Sequence, residues 1–315
     1  MMMMTNPNRI DVHQHVVPPC WRDALPQHGG DPSGWRSPDW SPDSALRFMD
    51  DNQIACGILS LTAPGVTGWQ GKAAATMATR VNEYTAGLAQ KHPTRFGVFI
   101  TLPLPDIDAS LAEVAYAFDS LHADGVVLLS NYHGVYLGDA RFTPLWQELN
   151  RRAAVVFIHP AKPPIPALDG LPGPIADYPM DTTRTALHMV MQGVMRRYSA
   201  MKVILAHAGG FVPYAAQRFA ALLPGIHPHI TQESILADLQ TFYFDTALSG
   251  SHVTLKSLLA FASPGHVLYG SDFPYAPVSV SRAFTREQDS YDDCSAEEHA
   301  RINRGNALQL FTRLA

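Results

Sequence analysis

Three cysteines in 315 residues, Cys20, Cys56 and Cys294, are too few and too irregularly spaced to staple a secreted disulfide domain; they are read as reduced and structural. Charge is scarce too, at 16% of residues with a formal net charge of -5, and no run of Lys or Arg is present to track a phosphate backbone. Nucleic acid is therefore not an expected partner. No apolar run reaches the roughly 20 residues that cross a bilayer, so neither a span nor a membrane anchor is expected. Met1 to Met4 lead straight into Thr5-Asn6-Pro7-Asn8-Arg9 without the basic and apolar regions of a secretory signal, which points to a cytoplasmic protein. What the chain does have is a hydrophobic fraction of 46%, enough to bury a sizeable core, and a length that one barrel domain accommodates. The expectation is a single domain over 1–315 that acts on a small molecule.

Short β-rich runs recur at Ile10 to His15, Ile54 to Thr62, Phe96 to Leu102, Gly125 to Ser130, Ala154 to His159, Val203 to His207, Phe242 to Thr246 and Val267 to Ser271. Helical patterns lie between them, among them Ser44 to Asn52, Lys72 to Lys91, Ala109 to His122, Arg141 to Arg152, Thr183 to Tyr198 and Ser251 to Phe261. Strands alternating with helices call for parallel strands and crossover helices, and eight such units predict an α/β fold of the (β/α)8 TIM-barrel type. Two connections are long, Val16 to Asp43 with Trp21, Trp35 and Trp40, and the proline-rich Pro160 to Asp181. Both are read as walls or lids over a pocket, the alternative being a surface excursion or a dimer contact.

Asp11-Val-His-Gln-His15 places two imidazoles two residues apart on the first predicted strand, where alternation sends both to one side of the sheet. His159, His207 and Asp272 follow apolar strands, at the ends that form the catalytic face of such a barrel. Burying such groups unpaired is costly, so each needs a metal or a hydrogen-bond partner. His13, His15, His159 and Asp272 would supply three nitrogens and one oxygen to a divalent ion such as zinc, leaving a position open for water or substrate. His207 is assigned general acid/base or electrostatic work, with a fifth ligand or a structural hydrogen bond as its alternatives. Asp245, in Phe242-Tyr-Phe-Asp-Thr246, fits equally a partner that orients a ligand and a helix cap. Trp35, Trp40, Phe273 and Tyr275 are candidate pocket walls.

Taken together, Asp11-Val-His-Gln-His15, Tyr136-Leu-Gly-Asp139 with Phe142, Pro144 and Trp146, His159-Pro160, His207-Ala-Gly-Gly210 and Gly270-Ser-Asp-Phe-Pro274 give a chain that resembles, over nearly its full length, the amidohydrolase-related metal-dependent decarboxylases. That family includes aminocarboxymuconate-semialdehyde decarboxylase and the hydroxybenzoate decarboxylases. Gly30-Asp-Pro-Ser-Gly-Trp35, Leu61-Thr-Ala-Pro-Gly65 and Phe242-Tyr-Phe-Asp-Thr-Ala247 look most like its 6-methylsalicylate decarboxylase subgroup. The resemblance implies one metal, Zn2+ in the first place and Mn2+ in the second, held by His13, His15, His159 and Asp272 with His207 beside it. No lysine ends the fourth predicted strand, where binuclear relatives carry a bridging carbamate, so a mononuclear site follows. By the same resemblance Arg218 holds a substrate carboxylate across a homodimer, and Arg36 is a second carboxylate-binding candidate.

The implied reaction is the non-oxidative decarboxylation of a hydroxybenzoate-type acid, with Asp272 and His207 as catalytic groups. The aromatic ring serves as the electron sink, so no organic cofactor is needed. Two other readings stand beside it: a hydrolase attacking a lactone or amide on the same scaffold, and a barrel retained only as a binding module.

Overall fold

The computed structural model describes residues 7–315. Met1 to Met4, and the leader judged missing there, lie outside the described residues. The strands are β1 Arg9–His15, β2 Ile54–Ser60, β3 Phe96–Thr101, β4 Gly125–Leu129, β5 Asn131–Tyr132, β6 Val135–Tyr136, β7 Val155–His159, β8 Lys202–Leu205, β9 Tyr243–Asp245 and β10 Val267–Leu268. Eight of them form one sheet in the order β1-β2-β3-β4-β7-β8-β9-β10, every pairing parallel, and β5 with β6 makes a separate antiparallel hairpin. The chain beyond β10 returns to β1: Val12 N donates to Tyr269 O at 3.0 Å, Asp272 N to His13 O at 2.8 Å and His15 N to Phe273 O at 2.7 Å. These bonds close the sheet into a (β/α)8 barrel.

Helices clothe the barrel because their apolar residues fall on one stripe. In helix Gly71–Lys91 the buried Ala74, Met77, Ala78, Val81 and Leu88 recur at three- and four-residue spacing. One helix differs from the sequence expectation. The segment read as Thr183 to Tyr198 begins ten residues earlier, as Gly173–Met191, and then breaks before a short Val194–Arg197 helix. Pro174 stands in its first turn, where a missing N–H costs nothing, and Pro179 is carried inside the helix; read linearly, both look like loop residues. Gly193, at φ +68°, takes the left-handed turn that separates the two helices. The second long connection therefore ends near Pro172.

Inside the barrel, Ile10, Val12, Ile58, Phe99, Phe157 and Ile204 form an apolar plug. β1 then changes register. Asp11 pairs with Gly57 and Gln14 with Leu59, so three steps along β1 oppose two along β2. Such a bulge shifts the alternation by one residue. With it, Val12 faces the plug and His13 and His15 still turn inward above it; without it, the parity that buries Ile10 and Val12 would have sent both imidazoles outward.

Candidate active site

His13 and His15 are fully buried, and His159 and Asp272 nearly so. Together they form a group whose ligand atoms all lie within 4.8 Å of one another. Each ring has its Nδ1–H spoken for. His13 Nδ1 donates to Asp245 Oδ2 at 2.8 Å, His159 Nδ1 to Pro160 O at 2.8 Å, and His15 Nδ1 lies 3.2 Å from Ser60 O and 3.1 Å from Ser60 Oγ. With the proton on Nδ1, each Nε2 turns a lone pair into the centre. His13 Nε2 and His15 Nε2 stand 3.1 Å apart, with Asp272 Oδ1 at 3.3 and 3.1 Å from them. Acceptors so crowded repel one another unless a proton or a metal ion lies among them, and three imidazoles with one carboxylate are a donor set that suits zinc or manganese.

Local backbone devices bring these groups together. His207 and Asp272 adopt positive φ, 53° and 58°, as does Ala208 at 55°. Non-glycine residues there carry strain, which the surrounding contacts must hold. Asp272 follows Ser271, whose N and Oγ donate to Asp11 Oδ1 and Oδ2 at 3.0 and 2.5 Å, so Asp11 ties the Asp272 turn to β1. At Gly270 a Cβ would stand 2.9 Å from His13 Cβ and 3.2 Å from Asp245 Cβ; the chain passes at a distance that only glycine allows. Asp245 accepts from His13 and also from the backbone N–H groups of His207, at 3.0 Å, and Ala247, at 2.9 Å. The cap of the next helix, His252–Phe261, is Ser251 rather than Asp245.

Electrostatics follow from burial and proximity. Desolvation works to depress the His13 imidazole, but the carboxylates of Asp245 and Asp272 outweigh it and raise it to about 10. His159 lacks such a partner, and burial beside the other imidazoles holds it well below its usual range. Burial would raise Asp272, yet the flanking imidazoles, His13 foremost, hold it well below the usual carboxylate range. His207 stands outside the four-residue group, its Nε2 3.4 Å from Asp272 Oδ2 and its buried Nδ1 without a hydrogen-bond partner.

Above the group opens a cavity of about 600 Å³. His159, His207 and Asp272 form part of its floor, and its lining runs from Asp31, Ser33 and Tyr178 to the apolar Phe211, Leu248 and Phe284. Among the expected walls, Trp35 and Tyr275 line it, the Trp35 Nε1–H donating to Tyr275 O at 3.2 Å. Trp40 and Phe273 do not: both pack in the core, where Phe273 stacks on Phe48 at 4.1 Å. The expected arginines are not brought in either. Arg218 is exposed on helix Val212–Leu222, Arg36 is exposed in the first long loop, and no arginine or lysine of the described residues lines the cavity. The sequence reading missed Thr62, whose Oγ1 lies 3.5 Å from His159 Nε2, and Tyr178, whose ring stands edge-on to His159 at 6.4 Å. Tyr178 was hidden in a segment read as a proline-rich loop.

A parallel barrel with a buried three-histidine, one-carboxylate group at the C-terminal ends of its strands is the framework of a metal-dependent enzyme class. The chain belongs to the amidohydrolase family, which it matches over residues 10–313. It is 44% identical to decarboxylase yanB of Aspergillus niger, over 97% of this chain and 88% of that one. It is 43% identical to the 6-methylsalicylic acid decarboxylase of Penicillium expansum, over 97% of each. Among solved structures, one described as amidohydrolase II superposes with a TM-score of 0.91 at 33% identity, covering 96% of this chain and 99% of that one. The fold is also shared with a dihydroxybenzoic acid decarboxylase of Polaromonas sp. JS666 that holds manganese and 2-nitroresorcinol, at a TM-score of 0.81, 24% identity and 97% of both chains.

Proposed function

We propose that this protein is a metal-dependent carboxy-lyase that removes CO2 from a hydroxybenzoate-type acid of the 6-methylsalicylate kind. The observation that carries this reading is the three-nitrogen, one-oxygen group with His207 beside it, at the floor of a largely apolar cavity. Relatives named as decarboxylases, at 43–44% identity over almost the whole chain, support it over hydrolysis of a lactone or amide. His13, His15, His159 and Asp272 would hold one ion, Zn2+ as the first expectation and Mn2+ as the second. When bound, that ion supplies Lewis-acid attraction for the substrate's carboxylate and phenolate oxygens and delocalises their charge.

The chain's own groups account for the rest. Tyr275 and Trp35 wall the ring and keep water out, which strengthens the electrostatics within the site. His207 Nε2, 3.4 Å from Asp272 Oδ2, passes a proton to that carboxylate, which is otherwise ionised, and Oδ2 hands it to the ring carbon that bears the substrate's carboxylate. The bond between that carbon and the carboxylate then breaks, CO2 leaves, and its bonding pair returns to the ring and restores aromaticity. Asp245 orients His13 throughout. Incubation with 6-methylsalicylate is expected to release CO2 and the corresponding phenol, with activity lost on chelation and restored by Zn2+ or Mn2+. Turnover of lactones or amides, with hydroxybenzoates untouched, would overturn the assignment.

The reading extends to a homodimer of single barrel domains in the cytoplasm. Its support is the cation that the described residues do not supply: an anionic substrate enters a cavity that they line with no arginine or lysine. Beside the mouth, Tyr214 and Val253 are 86% and 84% exposed, an apolar surface suited to cover by a second copy. Arg218, about one turn of helix beyond Tyr214, is the candidate to reach the second copy's cavity, with Arg36 a further one in the first long loop. Arg218→Ala is expected to raise KM by about tenfold to a hundredfold, as for a lost charged hydrogen bond of about 1.5–3 kcal/mol. Specific activity should fall on dilution as the pair dissociates; a wild-type KM and dilution-independent activity would exclude the role.

A further inference from the structure

His13 has a carboxylate against its Nδ1–H and His15 has a serine, but His159 has only the carbonyl of the next residue, Pro160, at 2.8 Å. That carbonyl shares a rigid peptide unit with the N–H of Ala161. The N–H donates to Ser130 Oγ at 2.8 Å, and Ser130 Oγ donates to Asp181 Oδ2. Asp181 is fully buried and lies outside the cavity lining. Its Oδ2 also accepts from Asn131 Nδ2 at 2.7 Å, and its Oδ1 from the Tyr136 hydroxyl at 2.5 Å. Burying a carboxylate is expensive, and this one is offset by donors from Ser130, Asn131 and Tyr136 and by the nearby charge of Arg184.

We infer that Asp181 and Ser130 are positioning residues for the metal centre, joined to His159 by a relay of carboxylate, hydroxyl, peptide and imidazole. Each link strengthens the next. A hydroxyl that donates to a carboxylate is a better acceptor for the Ala161 N–H, and a peptide that donates from nitrogen is a better acceptor at its oxygen. The Pro160 carbonyl thus grips His159 Nδ1–H, fixes the ring and enriches Nε2, as a directly bonded carboxylate does for a metal-ligating histidine. Ser130 N reinforces this by donating to His159 O at 2.9 Å. The inference rests on His159 being a metal ligand.

The test is Zn2+ affinity of the chelator-stripped full-length protein, measured by competition with a chromophoric chelator and so independent of substrate. Ser130→Ala is expected to bind Zn2+ about 10- to 100-fold more weakly. Tyr136→Phe removes a bond to the same carboxylate while leaving the Ser130 branch intact. It should lower Tm but hold Zn2+ like the wild type. Should Ser130→Ala not fold, Asp181→Asn, which keeps the shape and loses the charge, is expected to weaken Zn2+ in the same direction. The inference is overturned if the folded Ser130 or Asp181 variant binds Zn2+ as tightly as the wild type, or if Tyr136→Phe weakens it as much. A wild-type protein that takes up no Zn2+ would overturn the metal reading beneath it as well.

Discussion

Replacing His207 is expected to leave metal content unchanged and to lower kcat by about 10²- to 10⁴-fold, the usual range for a lost general acid or base. The geometry separates the two effects, because His207 lies outside the four-residue group and meets it only through Asp272 Oδ2 at 3.4 Å. Alanine alone would be ambiguous, since position 207 sits at φ +53°, where alanine carries strain. Asparagine tolerates the left-handed region yet cannot transfer a proton at neutral pH, so His207→Asn should show the same loss with the backbone relaxed. Metal analysis beside steady-state kinetics decides the matter. Either variant turning over at the wild-type rate removes His207 from the chemistry.

His13→Ala is expected to act in the opposite sense, abolishing metal binding and activity with it. Asp245 Oδ2 would also lose the imidazole it faces at 2.8 Å and remain a buried carboxylate supported only by two backbone N–H groups through Oδ1. Breaking a buried pair in this way costs about 3–5 kcal/mol, so Tm should fall by several degrees. The wild-type site carries a matching pH signature. A proton and a metal ion compete for His13 Nε2, and the neighbouring carboxylates raise that imidazole to about 10. Below that value the proton must leave as the metal enters: about one proton is released per ion at neutral pH, and affinity falls by about tenfold for each unit of acidification. Calorimetry in buffers of different ionisation enthalpy measures the count; no proton release would show that His13 is already neutral before the metal enters.

Much of this was legible along the chain. The eight β-rich runs correspond to the eight strands of the barrel, and the polar residues at their ends, His159, His207 and Asp272, stand beside the His13 and His15 pair. Hydrophobic periodicity is a local property, so it survives in one dimension. What failed to show there depended on neighbours remote in sequence. Pro174 and Pro179 read as loop residues, although one occupies a first helical turn and the other sits within a helix that packs on the barrel, and Tyr178 between them was lost to the site. Trp40 and Phe273 carry the same aromatic character as Trp35 and Tyr275, and only packing sends the first two to the core and the second two to the cavity.

Residue order alone carried the strand and helix alternation, the donor types and the shared side of His13 and His15, because each follows from spacing within a few residues. Which side the two imidazoles face was settled by a one-residue bulge in β1, a matter of pairing with β2 that no spacing within β1 records. In the same way, the bond from Asp245 to His13 and the path from Asp181 to His159 join groups far apart in the chain. Hydrogen bonds act over about 3 Å of space whatever the separation in sequence, so these partners acquire their roles only once the barrel has closed.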